Sequence, residues 1–103
     1  MANIIQARKE LIARILEGDG MASPAQRRAA FDHSAIGEPL NTLIDKVTNQ
    51  AYKVTDEDIE AAKASGLSED QIFEIVVCAA IGEAARQQDK ACAALVAAMK
   101  MKE

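Results

Sequence analysis

Apolar side chains recur every three to four residues over most of the chain, with Gly, Pro, Ser and Thr at the breaks. This spacing matches the turn of an amphipathic α-helix, which takes about 3.6 residues. The first such segment covers residues 3–16 and keeps its Ile and Leu side chains on one face. Ser23 followed by Pro24 is a helix start, which predicts a short second helix through Phe31. Residues 32–38 are predicted to form a loop.

The middle of the chain predicts two further helices. Pro39 opens the third, whose stripe of Leu, Ile and Val ends between residues 51 and 54. Thr55 can cap the fourth, and three acidic residues follow it in the first turn, where the helix dipole favours negative charge. The fourth helix is expected over 56–65, because Gly66 readily adopts the backbone conformation that ends a helix. No segment combines two-residue alternation with β-branched residues, so the fold class is predicted to be all-α.

The last helix is the longest predicted element. Ser68 and Gln71 form a capping box, and about thirty residues follow with no Pro and a single Gly, Gly82. A helix of that length spans ~50 Å, whereas a compact domain of this size is only ~30–35 Å across. The helix must therefore project from its domain, break near Gly82 or pack against other subunits. We expect a homo-oligomer that forms through this C-terminal helix.

The two halves of this helix differ in pattern. Over residues 72–81 the apolar positions cover nearly the whole circumference, which predicts a segment buried on all sides. After Gly82 they narrow to one heptad stripe, which indicates a helix–helix contact rather than a cofactor groove. The heptad stripe comprises Cys78, Ile81, Ala85, Gln88, Cys92, Leu95 and Met99. Both cysteines are expected to be buried structural thiols, and the ~21 Å of helix between them excludes a disulfide.

Composition and charge narrow the function classes. The net charge is −4 with both signs interspersed, which argues against the clustered basic face of a nucleic-acid-binding protein. Aromatic residues make up only 3% of the chain, so each helix contact buries little area and a second chain would add to the burial. The single His and the lack of a Cys/His cluster argue against a zinc site. We expect neither a metal nor another cofactor.

Targeting signals are also missing from the pattern. Residues 1–16 alternate charged residues with Ile and Leu, unlike the continuous apolar segment of a signal peptide. The longest apolar run, 75–81, is too short to cross a bilayer. A soluble cytoplasmic protein with no membrane partner is therefore expected.

Glu83 is the first candidate for chemistry. It lies at helical spacing from Val76 and Ala79, so its carboxyl group is expected to be partly buried. A buried carboxyl group with a raised pKa can serve as a general acid or base. The alternative is a structural contact with Arg86 or Gln87, one turn further along the helix.

His33 and two arginines complete the polar candidates. His33 follows Asp32 in the predicted loop, and a neighbouring Asp can hold one imidazole tautomer for acid–base chemistry. The alternative for His33 is an exposed loop side chain without a role. Arg27 and Arg28 can bind a carboxylate or phosphate, but adjacent helical positions point in different directions, so the pair forms a weak anion clamp.

The order of signals around Gly66 resembles a known family. A short helix with an Ala-x-x-x-Gly end, a Ser or Thr cap, an acidic turn and an apolar helix is similar to the carboxymuconolactone decarboxylase and alkylhydroperoxidase-D-like superfamily. Ala62, Gly66 and Ser68 match this order. The residues that carry the resemblance lie in segments 52–59, 61–66 and 67–77, and the resemblance covers about 39–95.

The resemblance implies an all-α, alkylhydroperoxidase-D-like helical bundle that assembles through these helices. The length of 103 residues predicts a single domain. The resemblance divides it into N-terminal helices in 1–37 and a family-like helical core in 38–103.

The family's redox motif is missing from this chain. Redox members carry Cys-x-x-Cys-x-x-x-His before the Ala-x-x-x-Gly, and these positions fall at Ala51, Val54 and Asp58. Neither Cys78 nor Cys92 replaces the missing thiols, because both lie on a different helix. Without a thiolate pair and its activating His, dithiol peroxide reduction cannot occur at this site.

Two function classes follow from this departure. In the first, the chain is a non-redox family member whose helical oligomer binds a small molecule or a partner without catalysis. In the second, it is a cofactor-free lyase or decarboxylase acting on a small carboxylic acid. Its acid–base groups would come from Tyr52, Lys53 and Asp58, which lie at the equivalent place, or from Glu83 and His33.

Overall fold

The computed structural model describes residues 2–101, which form five α-helices and one short 3₁₀ turn. The helices are α1 (Ala2–Glu17), α2 (Pro24–Asp32), α3 (Leu40–Asn49), α4 (Asp56–Ala64) and α5 (Glu69–Met101), with the 3₁₀ turn at Ala51–Lys53. No strand occurs among these residues, which confirms the all-α prediction. No helix in this part of the chain is both long enough and apolar enough to span a bilayer.

Side-chain caps start the helices where the sequence predicts. The backbone N–H of Gln26 donates to the Ser23 hydroxyl at 3.1 Å, and the Ser23 N–H donates to the Gln26 side chain at 3.3 Å. Ser68 and Gln71 repeat this reciprocal pair at the start of α5, at 2.8 and 3.1 Å. Each pair satisfies N–H groups that a helix start leaves without partners, so both predicted starts are confirmed.

The core lies where α1, α2, α3 and α4 pack against the first half of α5. Its buried side chains are Leu16, Ala22, Ala30, Leu40, Leu43, Ile44, Ala62, Ile72, Ile75, Cys78 and Ala79. Gly82 lies at the contact with α2, where a Cβ atom would overlap the backbone carbonyl of Phe31. Gly82 thus permits close approach of two helices and does not break α5, which continues for 33 residues.

The second half of α5 projects beyond this core. Every residue from 87 to 101 is exposed, and the molecule measures 57 × 29 × 20 Å. Its radius of gyration is 16.0 Å, against about 13 Å for a compact domain of this length. Of the three outcomes considered for the long helix, the single chain adopts the projecting one.

Two burial predictions are wrong for the single chain. Phe73 is 68% exposed, so the segment 72–81 is not buried on all sides. Cys92 is exposed as well, whereas Cys78 is buried as predicted. The reason is common to both errors, because the short helices α2 to α4 cover only one side of α5 and only its first half.

Candidate functional site

Ala51, Val54 and Asp58 are the positions at which the predicted resemblance expects redox residues, and they lie in the turn between α3 and α4 and in the first turn of α4. Asp58, at the position expected for His, accepts hydrogen bonds from the Lys46 ammonium at 2.9 Å and from the Thr55 N–H at 2.9 Å. The Lys46 hydrogen bond, followed by that of Thr55, holds the pKa of the Asp58 carboxyl below its ordinary value. Asp58 is therefore an ionised group that joins the start of α4 to α3.

Tyr52 and Lys53 lie on the 3₁₀ turn and both side chains are exposed, with Tyr52 at 81%. Both side chains therefore lie open to water and line none of the clefts described below. They are candidates by their position along the chain alone.

His33 lies in a polar cleft of about 320 Å³ between the end of α2 and α3. It ends α2 in the left-handed conformation with φ 57°, and its Nε2 lies 2.6 Å from Asp45 Oδ1. Ser34 and Glu38 also line the cleft. The partner of His33 is thus Asp45 on α3 and not the neighbouring Asp32, because the left-handed residue turns the chain back toward α3.

Glu83 forms the structural contact that the sequence offers as its alternative. Its Oε2 accepts from Arg86 Nη2 at 3.1 Å, and its Oε1 accepts from Gln87 Nε2 at 3.3 Å. Arg86 also donates to the Phe31 carbonyl at 2.6 Å, which fastens α2 to α5 beside Gly82. The Arg86 hydrogen bond is the main cause that lowers the pKa of Glu83. The raised pKa required of a general acid at neutral pH is therefore not found.

These five side chains do not form one constellation. Among residues 2–101 no hydrogen bond or ion pair joins His33, Glu83 or Asp58 to another member of the set, and each instead binds its own local partner. The same residues contain no group of three or more His, Cys, Asp and Glu side chains placed to hold a metal ion.

The two thiols differ in burial, and they lie fourteen residues apart on α5. Cys78 is 1% exposed, and burial raises the pKa of its thiol, which disfavours the reactive thiolate. Cys92 is exposed on the projecting half of α5.

Arg27 is a polar core residue whose burial the sequence does not predict. It is 4% exposed, and its Nη1 donates to the carbonyls of Ile15 at 3.0 Å and Gly18 at 2.7 Å, at the end of α1. Its neighbour Arg28 is exposed, so the two arginines do not act together. The sequence pattern does not predict the burial of Arg27, because an Arg in a short helix is usually a surface residue.

The heptad stripe is covered at one end only. Arg8 of α1 donates to Gln88 at 2.7 Å and to Asp89 at 2.9 Å, so α1 packs beside this turn of α5. One turn further on, the stripe continues with Cys92, Leu95 and Met99, and all three are exposed. Val96 lies beside them at 50% exposure. The projecting half of α5 therefore carries an uncovered end of the heptad stripe.

The geometry defines a five-helix all-α protein with a projecting C-terminal helix, a polar His33 cleft and an uncovered apolar stripe. Comparisons of the chain with family models, with curated proteins and with solved structures found no match.

Proposed function

We propose that the chain is a divergent, non-redox member of the carboxymuconolactone decarboxylase-like family that acts by binding a small molecule or a partner, without dithiol peroxidase activity. Its assembly is a homo-oligomer formed through α5. The observation that carries this proposal is the uncovered end of the heptad stripe, at which Leu95 and Met99 are 62% and 59% exposed. Exposed apolar patches on soluble chains mark interaction surfaces.

The surface area of the chain supports a partner of substantial size. The chain exposes 7025 Å², against about 5,600 Å² for a compact monomer of the same mass. The excess of about 1,400 Å² is larger than the roughly 800 Å² that each partner contributes to a stable interface. Covering α5 would remove the excess and leave a compact assembly.

The experiment that tests this proposal replaces Leu95 and Met99 together by Glu. The wild-type chain is expected to sediment as a dimer or larger assembly at tens of micromolar, because burying the stripe removes apolar area from water. The double variant is expected to sediment as a monomer with unchanged helix content, since both side chains are exposed in the single chain.

A matched control replaces Ala94 and Ala97 together by Glu, which adds the same two charges on the side of α5 away from the heptad stripe. Ala94 is exposed and lies about 100° from Leu95 and roughly opposite Cys92, at 100° per residue. This control variant should leave the assembly intact. A wild-type chain that is strictly monomeric at this concentration would contradict the proposal.

The alternative function is a cofactor-free lyase or decarboxylase that acts on a small carboxylic acid. The His33–Asp45 pair favours it, because a carboxylate at 2.6 Å orients an imidazole for proton transfer and the cleft is open to a ligand. Turnover of a panel of small β-keto and lactone acids that falls at least about tenfold in His33→Asn, and not in Asp32→Asn, would establish this function. Equal rates in both variants would remove it.

A further inference from the structure

Arg27 is a buried charge without an acidic partner. At 4% exposure it is the only buried charged residue in the described part of the chain, and no carboxylate of residues 2–101 lies within ion-pair distance of it. The nearby Glu74 is engaged elsewhere, because its carboxylate accepts from the N–H groups of Met21 at 2.9 Å and Ala22 at 2.8 Å. A buried cation is costly unless its hydrogen bonds and its charge are satisfied.

Only one nitrogen of the Arg27 guanidinium group, Nη1, forms hydrogen bonds with residues 2–101. Nη1 holds the two carbonyl groups at the end of α1, which accounts for that nitrogen. Nε is buried with no hydrogen-bond partner, and Nη2 makes no hydrogen bond to any residue in 2–101. Nε is sealed from solvent, so Nη2 is the nitrogen that a ligand can reach, and a charged N–H donor of this kind binds a carboxylate oxygen.

Arg27 lines a cleft of about 170 Å³ between α1 and α5. Ile15, Phe73, Val77 and Cys78 give the cleft an apolar wall. The volume is below the roughly 300 Å³ at which pockets for drug-sized ligands begin. A ligand of a few carbon atoms therefore fits, with its charged end at Arg27 and its hydrocarbon end on the wall.

We propose that this cleft binds a short-chain monocarboxylate through Nη2 of Arg27. The inference rests on the proposed binding function and names the chemical class of the small molecule. Arg14 and Asp19 also line the cleft, and their opposite charges cancel. Arg27 then attracts the ligand carboxylate, and Glu74 is the one remaining lining group that repels it. Glu74 is already stabilised by two backbone N–H groups, which weakens its competition for the guanidinium.

The test follows the Nε–H signals of the arginines by ¹H–¹⁵N NMR while sodium butyrate is added at constant ionic strength. A saturable shift of the Arg27 Nε–H is expected, because a carboxylate bound at Nη2 changes the electronic environment of the same guanidinium group. Arg28, exposed on the same helix, is the internal control and should not respond. Arg27→Lys assigns the signal. If that variant does not fold, Lys variants of the other four arginines assign the Arg27 signal by elimination.

Three arms decide the ligand class. Butyramide, the neutral isostere, should produce no saturable shift, and inorganic phosphate should bind more weakly than butyrate because it gains nothing from the apolar wall. Val77→Phe, which fills the cleft without touching the charge, should abolish the butyrate response. An Arg27 signal that follows Arg28 throughout, or responds equally to phosphate and butyrate, would overturn the inference. Sedimentation of the same samples reports separately on the assembly.

Discussion

At the scale of single residues, the polar side chains around the turn between α3 and α4 serve the fold. The Asp58 carboxylate joins Lys46 on α3 to the start of α4. Thr55 is the N-cap residue of α4, as the sequence predicts, and its N–H and hydroxyl both donate to Asp58, three residues further on. The sequence does not predict Lys46, which lies twelve residues earlier and reaches Asp58 only after α3 and α4 have packed.

Replacing Asp58 by Asn should lower the urea midpoint at neutral pH, because Lys46 loses its partner. The folded pKa of Asp58 lies below the ordinary value, so the unfolded chain takes up the proton first as the pH falls. The contribution of Asp58 is therefore complete above the ordinary carboxyl pKa of about 3.9 and is lost as the pH falls toward the folded value.

The measurement is urea unfolding of both chains between pH 7 and pH 2, followed by circular dichroism. The gap between their midpoints should narrow below about pH 4. Asp56→Asn is the control, since Asp56 is exposed in the first turn of the same helix. A gap that stays constant through the acid range would show that the charge of Asp58 does not stabilise the fold.

At the scale of elements, α5 is held at Gly82. The helix α2 approaches so closely here that only a hydrogen atom fits between the Gly82 Cα and the Phe31 carbonyl. The hydrogen bond from Arg86 to the same carbonyl group fixes this contact one turn later. From the sequence alone a single Gly in a long helical segment suggests a break, because helix propensity contains no information about a crossing partner.

Gly82→Ala should destabilise the protein, although Ala is the better helix former by about 1 kcal/mol. The added methyl group must push α2 away from α5, and overpacking of this kind costs about 1–3 kcal/mol. We expect a net loss in the free energy of unfolding measured in urea. Ala94→Gly, on the exposed projecting half, is the matched control and should lose about 1 kcal/mol from propensity alone. A stabilised Gly82→Ala variant would be inconsistent with the close helix crossing.

At the scale of the whole molecule, length was the most useful sequence signal. A helix of about fifty ångströms exceeds a domain of this size, and the projecting α5 gives the molecule its longest dimension of 57 Å. Burial was predicted less well, because helical periodicity states which residues share a face but not whether that face is covered. Phe73 and Cys92 are the two residues for which this distinction mattered.

Some contacts of the candidate site can be predicted from the sequence and others cannot. The i, i+3 contact of Glu83 with Arg86 could be anticipated from spacing. The His33–Asp45 pair and the unpartnered nitrogens of Arg27 could not, because both depend on which helices meet. The sequence therefore predicts side-chain contacts within one helix, but it does not predict contacts between side chains on different helices.

The projecting half of α5 also links order to association. Its last turns have only their own backbone hydrogen bonds in the single chain, and isolated helices shorter than ~12–15 residues are marginal in water. In the proposed homo-oligomer, a neighbour that covers Leu95 and Met99 would supply the packing energy that these turns lack. Assembly of the chain and ordering of its last helical turns would then depend on the same protein concentration.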